Sequence, residues 1–159
     1  MSAKREEQEA GSMEQRAKSK GQGTGEPGGV EKEERAKGKV SKRPHWRFED
    51  LEIWQLASNL AVKFQYVAEE LDHRRFYRYA EQLRGAGLSL SNNIAEGSGS
   101  HHAKEFVQFL NIARRSLFED ASMLMVFEKM ELIESPKVDD LLADCDFLSR
   151  KITNFIRTL

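Results

Sequence analysis

The first 44 residues contain none of the chain's 14 aromatic side chains and seven of its 11 glycines. A segment so poor in apolar groups cannot offset the entropy lost on ordering it, so residues 1–44 are expected to be a disordered, charged and Gly-rich tail. The remaining 115 residues, 45–159, are enough for one modest core. Cysteine is almost absent: Cys145 stands alone, which excludes an intrachain disulfide. Its place on an apolar helical stripe suggests a small buried hydrophobe and not a nucleophile. No apolar run approaches the ~18 residues of a membrane span. An apolar secretory segment is also missing at the start, so a cytoplasmic location is the default expectation.

Charge divides at the same point. The tail carries 11 Lys/Arg against 8 Glu, and residues 45–159 carry 14 Lys/Arg against 18 Asp/Glu. An acidic folded part is a poor general match to a polyanion, so nucleic-acid binding would need a local basic patch or the tail. Arg35 to Arg43 holds five basic residues and no acid, and reads as a solvated arm or a phosphate-contacting one.

What the second part does contain is apolar spacing near 3.6 residues, four times over. The first helix is expected from about Glu49 to Leu71, striped by Leu51, Trp54, Ala57, Leu60, Phe64, Val67 and Leu71. Phe48 can fold back on it as a staple. The second runs from about Phe76 to Glu96 on Tyr79, Leu83, Ala86, Leu90 and Ile94, closed by Gly97-Ser98-Gly99. The third runs from about Ala103 to Glu131 on Phe106, Leu110, Ala113, Leu117, Ala121 and Leu124. The fourth opens on Ser135-Pro136, a hydroxyl cap before proline, and carries Val138, Leu141, Cys145, Leu148, Ile152, Phe155 and Leu159. Short links force successive helices to be antiparallel neighbours. The expected fold is all-α, an antiparallel up-down-up-down four-helix bundle.

The third helix is richer in apolar residues than one stripe requires. Phe109, Ile112, Met123 and Phe127 lie roughly 60–120° from its main stripe at 100° per residue. Phe118 and Met125 add apolar surface on the other flank. Large exposed apolar patches are rare on monomers, so the excess predicts a homo-oligomer with Phe109, Ile112, Met123 and Phe127 at the interface.

The stretch from Gln82 to Gly97 is unusual for a helix, with serine, asparagine and glycine crowded together. Gln82, Ser89, Asn93 and Glu96 share an edge beside the apolar stripe and should find partners there. Small residues at 85–89 would let another helix approach closely. Phe48-x-x-Leu51-x-x-Trp54, Gln82-Leu83-Arg84, Ser91-x-Asn93-Ile94-Ala95-Glu96-Gly97, Glu105-Phe106 and Phe109-Leu110-x-Ile112-Ala113-Arg114-x-Ser116-Leu117 together resemble the bacterial four helix bundle protein family, also called 23S rRNA intervening-sequence proteins. The resemblance covers residues 46 to 133 well, and the fourth helix by pattern. It implies a four-helix bundle assembling as a ring, typically a pentamer, encoded within inserts in large-subunit rRNA genes or in free-standing genes. A related branch serves diversity-generating retroelements, where a basic surface binds nucleic acid and a reverse transcriptase. The chain departs from the pattern at Gly85 and Gly87, at His102 where a hydroxyl cap would pair with Glu105, and in its long tail.

The chemistry-bearing residues point away from catalysis. A di-iron bundle needs two Glu-x-x-His motifs on separate helices, and the chain does not have both. His101-His102 beside Glu96 and Glu105 is a loop pair with at most weak metal affinity. Glu96, Glu105 and Glu119 have no nucleophile–base–orienter arrangement around them, and no Gly-Lys-Ser/Thr loop is present. Glu96 and Glu105 are expected to accept hydrogen bonds near the turn, from backbone N–H groups or Asn93. No cofactor, metal or catalytic residue is therefore assigned. The candidate nucleic-acid contacts are Arg74, Arg75 and Arg78, clustered beside His73, and Arg114 and Arg115; Glu69, Glu70, Asp72 and Glu81 oppose the first cluster. Two readings stand: a non-enzymatic oligomeric interaction protein that binds RNA, DNA or a nucleic-acid-handling protein, and a scaffold that binds protein partners only.

Overall fold

The structure, a computed structural model, describes residues 43–159. The expectations for the tail, the basic run 35–43 included, fall outside the described residues apart from Arg43 and Pro44. A 3₁₀ turn, Arg47–Asp50, leads into α1 (Glu52–His73), followed by α2 (Tyr77–Ser98), α3 (Ala103–Lys129) and α4 (Ser135–Ile156). Each helix packs on its chain neighbours and α1 closes on α4, so the four form a ring around one core. Ion pairs fix the antiparallel α1–α4 register: Glu52 with Lys151 at 2.7 Å, Lys63 with Asp144 at 2.5 Å, and Glu70 with Lys137.

The expected stripes form that core. Ala57, Leu60, Phe64, Val67 and Leu71 of α1 meet Leu83, Leu90 and Ile94 of α2, Leu110, Ala113, Leu117 and Leu124 of α3, and Val138, Leu141, Leu148 and Ile152 of α4. Phe48 does fold back, with its ring centroid 4.8 Å from that of Trp54. Cys145 is buried as a small hydrophobe, and burial pushes its thiol up to about 12, with the Asp120 and Asp144 carboxylates adding to the effect. Leu159, placed at the end of the fourth stripe, is exposed instead, because α4 stops at Ile156.

The helix ends differ from expectation. Gly97 lies inside α2 and Gly99 has φ −78°, so neither supplies a left-handed cap. The left-handed residues are Arg75 (φ 66°) and Glu131 (φ 55°). Phe76 N–H reaches back to the Leu71 carbonyl at 2.8 Å, and Leu132 N–H to that of Phe127 at 2.9 Å. These are the six-to-one bonds of a Schellman ending, closed here by non-glycine residues. Ser135 is already helical with Glu134 at the cap position, and the serine hydroxyl caps nothing. His102 occupies the cap position of α3 without a side-chain cap bond.

Candidate interaction surfaces

The small residues of α2 serve two neighbours. A Cβ on Gly87 would stand 2.9 Å from the Phe64 ring, so this glycine lets α1 approach. A Cβ on Gly97 would stand 2.6 Å from both Phe106 and Phe109, so Gly97 lets α3 approach; that packing, and not turn chemistry, is its role. Gly85 faces open space. Between these contacts runs a polar seam. Ser89 and Ser116 hydroxyls lie 3.0 Å apart, and Asn93 Nδ2 donates to the Ser89 carbonyl at 2.7 Å and its hydroxyl at 3.0 Å. The structure thus brings Ser89 and Asn93 together with Ser116, whereas Gln82, Glu96 and Glu105 are exposed. Among the described residues neither Glu96 nor Glu105 accepts a side-chain hydrogen bond from the turn, since Asn93 turns back along its own helix.

The arginine cluster splits by role. Arg74 Nη1 donates to the carbonyls of Leu132 at 2.7 Å and Glu131 at 3.3 Å, and its guanidinium lies over the Phe76 ring. It satisfies carbonyls just past the end of α3 and ties together two links at one end of the bundle. Arg75 and Arg78 are exposed, as is Arg115. Arg114 is half-buried, and its Nε has no partner among the described residues. Glu70, Glu128, Glu131 and Glu134 line the same open depression as Arg74, which makes that end acidic around its cations. The one Glu-x-x-His in the chain, Glu70 to His73, lies here, and its carboxylate is paired with Lys137. Among the described residues no three His, Cys, Asp or Glu side chains converge on a point that could hold a metal.

The apolar excess of α3 is distributed differently from the expectation. Phe127 is only 3% exposed, tilted against Tyr79 of α2 with ring centroids 5.4 Å apart, so it belongs to its own bundle and is not free for a partner. Phe109 and Met123 are half-buried, and Ile112 is exposed. This flank turns toward α2, which covers most of it. The uncovered surface lies on the flank toward α4. Phe118 is 63% and Met125 49% exposed. With Leu117, Ala121, Leu142 and Cys145 they line an apolar groove of about 320 Å³ between α3 and α4.

Sequence reasoning missed Asp120. Its carboxyl is fully buried in α3, and neither oxygen has a hydrogen-bond partner among the described residues. Burial raises its pKa to about 8, with Glu119 next to it adding a smaller push, so the acid is held neutral at physiological pH. The signal was available: position 120 lies three residues after Leu117 and four before Leu124, squarely on the core face.

The described residues thus form an antiparallel four-helix bundle with a polar seam, an uncovered apolar groove and scattered exposed arginines. Residues 49–154 match the model of the family described as 23S rRNA-intervening sequence protein, and the chain belongs to that family. Among curated proteins none matches. A crystal structure of a protein of unknown function from the S23 ribosomal protein family of Bacteroides thetaiotaomicron superposes with a TM-score of 0.63 at 19% identity, covering 65% of this chain and 97% of that one. At that identity the likeness extends to the fold.

Proposed function

We propose that the protein is a non-enzymatic module that self-associates and, once assembled, binds nucleic acid or a protein that handles it. The observation that carries the self-association is the groove between α3 and α4, where Phe118 and Met125 stand in water beside an apolar floor. A second copy of the chain covering this face would remove it from solvent, and a closed ring, a pentamer by the family resemblance, would do so for every subunit. Exposed Arg75, Arg78 and Arg115 would then repeat around the assembly, so individually weak phosphate contacts would add by multivalency. The family description refers to an intervening sequence of 23S rRNA, which makes RNA the first polyanion to test.

The scaffold reading draws on a different observation: the depression around Arg74 is lined by four glutamates, so that end repels phosphate. Titration of a generic RNA at rising salt separates the two. Nucleic-acid binding predicts affinity that falls steeply with salt and drops further in Arg75→Glu/Arg78→Glu. Undetectable binding at low salt leaves only the scaffold.

A further inference from the structure

The end of the bundle opposite the arginine cluster carries an aromatic shelf. Trp46 is 58% exposed, an uncommon state for so large an apolar ring. It is not loosely held. Its backbone N–H donates to Glu49 Oε1 at 2.9 Å, and its ring lies within 10° of parallel to Phe48, which in turn packs on Trp54. Arg43 bonds the Glu49 carboxylate at 2.6 Å, and this bond, with that from Trp46, holds the Glu49 carboxyl below its ordinary range and offsets its charge.

Beside the indole is an open cavity of about 540 Å³, floored by Phe48 and Ala95 and walled by Arg47, Ser98, Ser100 and His101. Arg47, which lines the cavity, has no ion-pair partner among the described residues. One carboxylate, Glu96, faces the cavity. A ligand matching this surface offers a flat π face to the indole and negative charge to Arg47. Single-stranded nucleic acid does both, whereas in a duplex the base faces are already stacked on each other. An acidic peptide supplies the charge, and a π face only where an aromatic residue adjoins it.

We propose that the Trp46 shelf is a single-strand nucleic-acid subsite, in which one base stacks on the exposed indole while Arg47 contacts an adjoining phosphate. This rests on the nucleic-acid reading above and adds to it a location, distinct from the arginine cluster, and a preference for unpaired strands.

The test uses the full chain and labelled oligouridylate and oligoadenylate of about 12 nucleotides, with a matching duplex, by fluorescence anisotropy at low salt. Single strands bind more tightly than duplex, and their binding quenches tryptophan emission. Trp46→Ala weakens single-strand binding about tenfold or more, Trp46→Phe retains most of it, and Arg47→Glu weakens it in a salt-dependent way. Glu96→Gln strengthens it. Thermal unfolding of Trp46→Ala by circular dichroism, and the retention in Trp46→Phe, separate loss of the stack from loss of the fold. Binding that survives Trp46→Ala but falls in Arg75→Glu/Arg78→Glu overturns the shelf and leaves the nucleic-acid reading standing. Absence of any binding at low salt overturns both.

Discussion

The seams on either side of α3 are built in opposite ways. Toward α2, Gly97 and the serines at 89 and 116 keep the facing side chains small, and Gly87 does the same where α2 meets α1, so α2 sits close against both of its neighbours. Toward α4 no glycine lines the groove, although Ala121, Cys145 and Ser149 do. Helix α4 packs less extensively on α3 and on α1 than α2 does, and a groove remains beside Phe118 and Met125. Three ion pairs to α1 supplement the packing of α4, but they are exposed, and such pairs contribute only about 0–1 kcal/mol each. The comparison teaches that glycine at the contact, more than small side chains in general, accompanies the tight closure. The large apolar residues then mark what the closure leaves uncovered.

Asp120 gives the largest expected departure. It holds its proton in the folded state up to about pH 8, whereas the unfolded carboxyl ionises near 3.8. Between these values the native state binds more protons than the unfolded one, so stability is full below the lower value and falls as pH rises toward the upper one. The loss reaches several kcal/mol, at ~1.4 kcal/mol per pH unit, and levels off above pH 8. Urea midpoints at pH 5, 7 and 9 should fall in that order, and Asp120→Asn should flatten the trend. A wild-type profile no steeper than that of Asp120→Asn would show that the carboxyl is not held neutral.

The seam itself comes next. Gly97→Val places carbon 2.6 Å from two phenylalanine side chains and should cost about 1–3 kcal/mol, read from the urea midpoint. Gly85→Ala, on the same helix but facing open space, should be neutral or stabilise by up to about 1 kcal/mol. If both behave alike, close approach is not what the seam glycines provide. The smallest effect belongs to the helix ends: Glu131→Gly relieves a left-handed residue and should raise stability by up to about 1 kcal/mol, seen as a higher melting temperature.

Much of the fold was legible because each helix writes its buried face at a spacing near 3.6, and Leu60, Leu83, Leu110 and Leu148 all lie where that spacing puts them. The endings were harder. Arg75 and Glu131 adopt a conformation that glycine ordinarily marks, so nothing in their identity announces it. The stripe of α3 was ambiguous between Leu117 and Leu124, where seven residues divide as four and three through Ala121 or as three and four through Asp120. Apolarity selects Ala121, yet Asp120 is the more deeply buried. The uncovered apolar face was half legible. That α3 has apolar side chains to spare follows from its sequence, but which flank α2 would cover depends on glycines one helix away. Arg74 shows the same limit: its identity suggests a phosphate contact, and its neighbours in space turn it to two carbonyls.

Sedimentation velocity at micromolar concentration, on the full chain and on Phe118→Glu/Met125→Glu, tests the central claim most directly. The account predicts that the wild-type chain sediments as a defined assembly of several copies and that the double variant, still helical, sediments as a single chain. A wild-type monomer, or a double variant that assembles as the wild type does, would contradict it.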